Sequence, residues 1–599
     1  MANNVFTKSD GFKSEYSCAV VKVGELTPIE GSDFLAKTLV FGTQIVVRKD
    51  QVKEGNIMIY AANETQLNEK FLSVNNLYEI GCREKNANVD EVDKLYEPYL
   101  PIKAQADKLR NEAKNVKGAM DALTKKAAKY NKLAKKKEKD LETLDPASEE
   151  YGIKKAEIEE TRKMADECTT KAISKTTIYA NLKKEAEDVV KTGADIITEV
   201  KKHCGYMNKY GRVRCLTLRN TPSFGMLFAP EDLFKYDSTI TMEDVEAYVG
   251  QEFDTVNGDL FVKVYIPPMP AEPQKKGNKN KAQSKVKRFD RMIDGEFFFH
   301  YNTTQLQKAI QYIKPDDVVD VTVKRHGTSI IIGKLHVNQP IKLPLLKRIF
   351  NKFVDTTHLF KSKRINDCEV VYGPVYSSRT VIKNRYINQG VGGGFYGSDI
   401  WTEYGDIIYS YLDEGMTVYG EICGYLTGSD SMIQKGYDYG CSNGENNVMF
   451  YRITTTNEDG TKKEWEILEI LDWTNKLIDR MKEAGDENYK RIHPIDLLYH
   501  GTLEDLYPSL DTENHWHETV LETLKNDKEH FGMEENEPLC NNEVPREGFC
   551  LRKVGDTTLE CFKLKSVSFT LKEALVYDSG TVDIEAVEGY SDDASSDEV

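Results

Sequence analysis

The chain lacks the sequence features that mark membrane-spanning and secreted proteins. No run of about 18 apolar residues occurs in its 599 residues, so the sequence predicts no transmembrane helix. The first residues, MANNVFTKSDGFKSEY, contain no apolar signal core. The 11 cysteines include no CxxC pair, which argues against a disulfide framework and against a zinc ribbon. We therefore expect a protein of the reducing cytoplasm.

Basic residues are also in short supply, because 81 lysines and arginines face 97 acidic residues and leave a net charge of −16. This balance is unusual for a nucleic-acid-binding protein, but local basic stretches decide such binding and the chain segregates its charge strongly. The hydrophobic share of 40% excludes a wholly disordered chain. At about 100–200 residues per domain, the length predicts three or four structural units.

Short apolar runs separated by turn signals fill residues 15–80. They are CAVVKVGEL, LVFGTQIVVRKD with Gly42 inside it, and NIMIYAA, and a similar pattern returns at 211–228. Strands at about ten-residue spacing are typical of a small barrel or sandwich. We assign residues 1–100 and 201–266 to one N-terminal module.

Residues 103–200 interrupt this module with two heptad seams and no strand signal. The seams are Leu109, Ala113, Val116, Met120, Leu123, Ala127, Tyr130, Ala134, Lys137, Leu141 and Leu144, then Cys168, Ala172, Lys175, Tyr179, Leu182, Ala186, Val189, Gly193, Ile196 and Val200. Asp145-Pro146 predicts the end of the first helix. The pattern indicates an antiparallel coiled-coil hairpin over 101–200, with arms of about 60 Å. Its lysine-rich first arm fits a solvated face better than a contact with nucleic acid or a protein partner.

Two further segments have no apolar period. Residues 267–288, rich in proline, lysine and asparagine, are predicted to form a basic flexible linker. Residues 586–599 are predicted to be an acidic, disordered tail.

The chemistry-bearing motifs lie between these two segments. Lys324 ends a β-type run and begins Lys-x-His-Gly, a pattern that is weak evidence by itself. Further segments follow in a fixed order: YSSRT at 376–380, VYGEICG at 418–424, MFYRI at 449–453, EGFCLR at 547–552 and FKLKS at 562–566. The order, more than any one segment, makes the set specific.

This ordered set resembles the covalent nucleotidyltransferase superfamily of ligases and capping enzymes. Within it, the Lys-x-His-Gly form and IQKGYDYG at 433–440 resemble phage-type ATP-dependent RNA ligases, and the N-terminal module resembles the OB-type module of one such family. The resemblance implies an α+β fold: an N-terminal OB-like β-barrel interrupted by the hairpin, then a mixed α/β, ATP-grasp-like nucleotidyltransferase domain over 289–585. It also suggests a viral origin, and then the host cytoplasm as location.

The resemblance implies a nucleophile and a set of phosphate-binding cations. Lys324 is the expected nucleophile, which must be deprotonated to attack. We expect burial and the nearby cations Lys563 and Lys565 to lower its pKa. Lys563 and Lys565 would face the α-phosphate, since alternate residues of a strand share a face. His326 and Arg379 would contact phosphates of ATP or of the nucleic-acid strand.

The remaining implied roles concern the nucleoside and the metal. Glu421 would bind ribose hydroxyls, and Tyr451 would stack on adenine, with Phe450 as the competing residue of the same strand. Glu547 would hold Mg²⁺ or Mn²⁺ through water. Thr322, two residues before Lys324, stands where many phage ligases carry an acidic residue. Whatever that acid contributes to adenine or metal binding therefore has no counterpart here.

The function implied is the ATP-dependent joining of 3′-hydroxyl and 5′-phosphate ends of broken or nicked RNA, through lysyl-AMP and RNA-adenylate, in RNA repair. A DNA ligase or a capping guanylyltransferase is the nearest enzymatic alternative. Those enzymes usually carry an OB domain after the catalytic domain, whereas only about 30 residues follow Lys565 here. An inactive nucleic-acid-binding scaffold is the alternative from another class. For the coiled-coil hairpin, two partners remain open: RNA or an unidentified protein.

Overall fold

The computed structural model describes residues 5–9, 16–266, 291–300, 303–357, 365–383, 399–457, 460–555 and 560–578. The chain divides into two compact units, one of Met1–Thr65, Val213–Ala229 and Glu243–Val599, the other of Gln66–Arg212 and Pro230–Met242. The predicted linker and acidic tail lie outside the described residues, and the domain boundaries drawn from the sequence stay a prediction. Within the described ranges no helix is long and apolar enough to cross a membrane.

The chain begins with short strands. They are β1 (Phe6–Thr7), β2 (Cys18–Lys22), β3 (Thr27–Pro28), β4 (Leu35–Val40), β5 (Thr43–Arg48), β6 (Ile57–Ala61) and β7 (Thr65–Leu67). The run LVFGTQIVVRKD is therefore not one strand. Phe41 and Gly42 have φ of 48° and 66°, so they form a two-residue hairpin turn with both central residues left-handed, between β4 and β5.

Helices follow in the second unit. They are α1 (Glu69–Val74), α2 (Val89–Tyr96), α3 (Leu100–Leu141), α4 (Glu149–Lys191) and α5 (Ala194–Lys201), with 3₁₀ turns at Ile80–Lys85 and Glu97–Tyr99. The helices α3 and α4 pack along each other and confirm the predicted long hairpin. The first helix ends just before Asp145-Pro146, and the Ser148 side chain caps the second by accepting from the Tyr151 amide.

The hairpin seam follows the predicted heptads and continues further. Ala113, Ala127 and Ala134 of α3 are buried, as are Cys168, Ala172 and Ala186 of α4. The α4 seam also runs back through Ile158, Thr161 and Ala165, which the sequence pattern had not included. Small residues at these positions let the two helices approach closely.

The chain then returns to short elements. They are β8 (Leu216–Leu218), β9 (Thr221–Ser223), β10 (Met226–Phe228), α6 (Pro230–Tyr236), α7 (Met242–Ala247), β11 (Glu252–Phe253), β12 (Thr255–Val256), β13 (Asp259–Leu260) and β14 (Val262–Val264). Within the first unit, strands from both sides of the hairpin form one sheet in the order β10-β6-β2-β11. Among the described strands no sheet closes on itself, so the OB-like barrel stays a prediction.

The second half of the chain is a mixed α and β region. Its elements are β15 (Thr304–Gln305), α8 (Leu306–Ala309), β16 (Val318–Lys324), β17 (Thr328–Pro340), α9 (Leu345–Thr357), β18 (Cys368–Ser377), α10 (Ile400–Ile408), β19 (Met416–Gly424), β20 (Asn446–Thr456), β21 (Lys462–Glu464), α11 (Ile467–Glu483), β22 (Ile492–His493), β23 (Leu497–Thr502), α12 (Leu503–Leu506), α13 (Trp516–Asn526), β24 (Gly548–Lys553), β25 (Cys561–Lys565) and α14 (Val567–Asp578). The 3₁₀ turns Ile310–Tyr312, Tyr409–Tyr411 and Glu487–Arg491 complete it.

Two sheets organise this region. The Lys324 sheet has the order β15-β25-β24-β16-β23, and the Glu421 sheet has the order β18-β17-β19-β20-β21. Each packs on its own apolar core, with Trp516 in the first and Trp401 in the second. The chain passes directly from one sheet to the other through residues 325–327, between β16 and β17. This short crossing brings the ends of both sheets together beside Lys324.

Candidate active site

Strand register brings Lys324, Glu547 and Lys565 together. Lys324 is the last residue of β16 and pairs with Gly548, which in turn pairs with Lys565 of β25. Glu547 immediately precedes Gly548, and its Oε1 lies 2.7 Å from the Lys324 Nζ and 3.9 Å from the Lys565 Nζ. The carboxylate is 3% exposed, while the Lys324 side chain keeps 27% of its surface exposed. A buried carboxylate thus lies between two cations at the edge of an accessible site.

Gly548 makes this arrangement possible. Its φ is +145°, and a Cβ there would lie 2.0 Å from the carbonyl oxygen of Leu564. No side chain can be accommodated at that distance, so the neighbouring strand can approach closely only beside glycine. The Glu-Gly pair of the EGFCLR segment therefore has a structural reason as well as a chemical one.

The expected lowering of the Lys324 pKa is wrong. Burial does lower the pKa of this amine, but the negative charges of Glu547 and Glu421 outweigh it and hold the pKa above its usual range. The pKa of Lys565 is raised in the same way, since burial is outweighed by Glu573 and Glu547. The expected shift took only burial and the neighbouring cations into account. The sequence contains no distances, so it did not show that the Glu547 carboxylate lies next to the Lys324 amine.

Glu421 holds the crossing segment from the second sheet. It faces Ser329 in the register of β19 and β17, and its two oxygens accept from the Gly327 amide at 3.0 Å and the Ser329 hydroxyl at 3.4 Å. Gly327 has no room for a side chain, because a Cβ would lie 2.2 Å from the Ile422 carbonyl oxygen. Glu421 therefore positions the nucleophile segment, residues 325–327 directly after Lys324. Its contact with ribose hydroxyls stays a prediction.

His326 lies beside the same carboxylate. Its Nδ1 is 4.0 Å from the Glu547 Oε2, and its ring meets the rings of Tyr437 and Phe569 edge-on at 5.0 Å each. These two rings fix the plane of the imidazole. His326 is thus part of the site, with one nitrogen directed at the Glu547 carboxylate.

The charges of two other predicted cations, Arg379 and Lys563, act on His300, a histidine that was not predicted from the sequence. The pKa of His300 lies well below its usual value because of burial first, then the positive charges of Arg379, Arg452, Lys324 and Lys563. Arg379 and Lys563 therefore act on the same imidazole as Lys324 does. Such a concentration of positive charge favours a polyanion.

Tyr451 is the aromatic side chain next to this cationic region. Its ring lies 5.5 Å from the His300 ring in an edge-on arrangement. Phe450, the competing residue, is fully buried and packs against Trp473. The strand therefore offers Tyr451, and not Phe450, to a ligand at this site; stacking on adenine stays a prediction.

Glu547 has the features of a carboxylate ligand for a hydrated divalent cation. Its Oε2 is buried and has no hydrogen-bond partner among the described residues. In the same described part of the chain, no three acidic, histidine or cysteine side chains gather as a complete metal cage. A single carboxylate fits Mg²⁺ or Mn²⁺, since Mg²⁺ usually keeps several waters and binds substrate phosphates as well.

Residues absent from the predicted set also contact the nucleophile segment. Gln434 and Tyr439 bond to Gly327 and His326 respectively, and Arg325 donates twice to Asp496. Gln434 and Tyr439 lie in IQKGYDYG, which the sequence singled out without giving any residue a role. Arg325, next to Lys324, anchors the segment on its other side.

Comparison with solved structures returned several forms of one RNA ligase, from Naegleria gruberi. A lysine-to-alanine variant with ATP and Mn is 12% identical, covers 93% of this chain and 97% of its own, and has a TM-score of 0.41. The same ligase with PPi, and a glutamate-to-alanine variant with AMP and Mn, are each 13% identical with a TM-score of 0.41, over 93% of this chain and 98% of theirs. No family model and no curated protein matches the chain. The functional argument therefore rests on the residues of the site.

Proposed function

We propose that the protein is an ATP-dependent RNA ligase with Lys324 as its nucleophile. The observation that carries the proposal is the convergence of Lys324, Glu547 and Lys565 at one end of the three adjacent strands β16, β24 and β25. A nucleophilic amine, a buried carboxylate and a cluster of cations are the groups that transfer of a nucleotide to lysine requires. The ordered motifs of the sequence supply the same assignment independently.

The reaction consists of three substitutions at phosphorus. The neutral Lys324 amine attacks the α-phosphate of ATP: a P–N bond forms, the bond to pyrophosphate breaks, and the nitrogen loses one proton to solvent. The 5′-phosphate of the broken strand then attacks the lysyl-AMP phosphorus, the P–N bond breaks and a 5′–5′ pyrophosphate linkage forms. Finally the 3′-hydroxyl attacks the 5′-phosphate, loses its proton and expels AMP. Phosphodiester formation thus consumes one ATP.

The ion pair with Glu547 defines the resting state of the nucleophile. While the pair is intact, Lys324 is protonated and cannot attack. Burial favours the neutral amine, so weakening the attraction of Glu547 brings Lys324 towards its reactive form. Glu547 would hold Mg²⁺ or Mn²⁺, which when bound supplies positive charge to the phosphates.

The remaining residues bind the nucleotide and the RNA. Lys563, Lys565 and Arg379 neutralise phosphate charge, and His326 contacts a phosphate from its position beside Glu547. Tyr451 stacks on adenine, and Glu421 reaches the ribose while it holds Gly327. The Lys-x-His-Gly form and the module preceding the catalytic domain support RNA repair rather than DNA joining or capping, in the cytoplasm. We also propose that the protein is of the phage-like subtype and that the helical hairpin contacts RNA or an unidentified protein.

Incubation with ATP labelled at the α-phosphate, followed by a denaturing gel, tests the proposal. The wild-type chain is expected to retain the label covalently, and Lys324→Ala is expected to lose it. Lys334→Ala is a matched control, because Lys334 is a half-buried lysine of β17 that donates to the Leu412 carbonyl outside the site. An unlabelled wild-type protein, or a labelled Lys324→Ala variant, would contradict the proposal.

A further inference from the structure

A loop with no assigned role bonds to the backbone on either side of the Lys324–Glu547 ion pair, at residues 326–327 after Lys324 and at Pro545 before Glu547. The bridging loop, residues 434–440, lies between β19 and β20. Four of its side chains, Gln434, Tyr437, Asp438 and Tyr439, are buried although the loop belongs to no strand or helix. Buried polar side chains in a loop need partners, and those partners identify what the loop holds.

On one side the bridging loop grips the segment that follows Lys324. The His326 amide donates to the Tyr439 hydroxyl at 2.7 Å, and the Gln434 Nε2 donates to the Gly327 carbonyl at 2.9 Å. Each bond is made to the backbone, so it fixes the path of the chain directly after the nucleophile. Together with Glu421, which accepts from the Gly327 amide, these bonds hold both residues 326 and 327 by their backbone.

On the other side the bridging loop grips the segment that leads to Glu547. The Tyr437 hydroxyl donates to the Pro545 carbonyl at 2.8 Å. The Asp438 carboxylate accepts from the Asn541 amide at 3.0 Å and from the Asn542 side chain at 2.9 Å. These contacts end two residues before the carboxylate that pairs with Lys324.

The backbone of the bridging loop is strained at Tyr439, the residue that contacts the His326 amide. Tyr439 has a φ of 47°, in the left-handed region that a bulky side chain rarely adopts, and Gly440 follows at 75°. This conformation is held by the Asp438 carboxylate, which accepts from the Gly440 amide at 3.0 Å. Strain of this kind persists only where the surroundings impose it, and it is concentrated at functional sites.

We propose that the bridging loop positions the nucleophile: Gln434 and Tyr439 hold the Lys324 segment, and Tyr437 and Asp438 hold the Glu547 segment, in one fixed relation. None of the four needs to touch the reacting atoms, so they are positioning residues. The inference rests on the proposed function, because it concerns the geometry of lysine adenylation. Since only the first step uses Lys324 as a nucleophile, loosening its segment should slow that step selectively.

The test compares two reactions of the full-length protein. Tyr439→Phe and Gln434→Met each remove one bond to the Lys324 segment with little change in volume. Single-turnover lysyl-AMP formation is expected to slow about tenfold or more, the effect of losing one buried hydrogen bond. ATP affinity and the sealing of pre-adenylated RNA, which bypasses the nucleophile, are expected to stay within about twofold. Tyr437→Phe should slow adenylation as well, because it removes the hydrogen bond to the Pro545 carbonyl that holds the segment leading to Glu547.

Tyr404→Phe is the matched control. Tyr404 is also fully buried, and its hydroxyl donates to the Asn446 side chain, a residue outside the bridging loop. It should leave lysyl-AMP formation within about twofold of wild type, while thermal unfolding shows that every variant folds. Unchanged adenylation in Tyr439→Phe, or an equal loss of both reactions, would overturn the positioning role. A wild-type chain that forms no lysyl-AMP would instead overturn the proposed function on which it rests.

Discussion

Adding one methyl group at Gly327 is predicted to slow the proposed lysine adenylation strongly without unfolding the protein. In Gly327→Ala the new Cβ would lie 2.2 Å from the Ile422 carbonyl oxygen, 2.9 Å from the Cys423 Sγ and 3.0 Å from the Glu421 Cγ. Ordinary contacts between such atoms need about 3.5 Å. Backbone on one side and a buried carboxylate on the other leave little room to yield, so the segment after Lys324 must shift by about 1 Å. A displacement of that size at a reacting group can cost about a hundredfold in rate.

Single-turnover lysyl-AMP formation measures this effect directly. Gly24→Ala is the matched control, because a Cβ at Gly24 meets nothing within 4 Å. We expect the control to adenylate like wild type and Gly327→Ala to be slower by about two orders of magnitude. If Gly327→Ala forms lysyl-AMP within about twofold of wild type while folded, the reasoning from close packing at this segment is refuted.

Three further outcomes follow from the site. Glu547→Gln removes the larger of the two negative charges that raise the Lys324 pKa, so the pH midpoint of adenylation should move to lower pH, and an unmoved midpoint would count against the ion pair's role. A chain whose residues 103–200 are replaced by a short Gly/Ser connection should still label with ATP, since no site residue lies in the hairpin; loss of labelling in a folded chain would contradict this. Nicks ending in a 3′ ribonucleotide should be sealed about ten to a hundred times faster than deoxy nicks, and equal rates would remove the RNA preference.

The helical hairpin was predictable because its information is local. Heptad spacing of alanines and leucines fixes which face of each helix is buried, and Asp145-Pro146 marks the end of the first helix. The part of the second seam before Cys168 was missed because Thr161 and other polar residues interrupt the apolar pattern. The Phe41-Gly42 turn was missed for a similar reason: a single apolar run conceals two strands when the turn itself contains an aromatic residue.

The candidate site shows where sequence reasoning ends. The ordered motifs identified Lys324, Glu421, Glu547 and Lys565, but their spacing along the chain contains no distances. Only strand register shows that Glu547 lies 2.7 Å from Lys324, and this contact reverses the expected pKa shift. His300 was missed, and the bridging loop was singled out without a role for any of its residues, because their contacts join segments that are remote in sequence and follow no periodic pattern.

The most direct test of the central claim is to locate the covalent adduct. The full-length protein is incubated with ATP and Mg²⁺ or Mn²⁺, digested, and its peptides are analysed by mass spectrometry. We expect one AMP on Lys324, joined by an acid-labile P–N bond, and none in Lys324→Ala. AMP found on Lys563, Lys565 or any other residue, or no adduct at all, would contradict it.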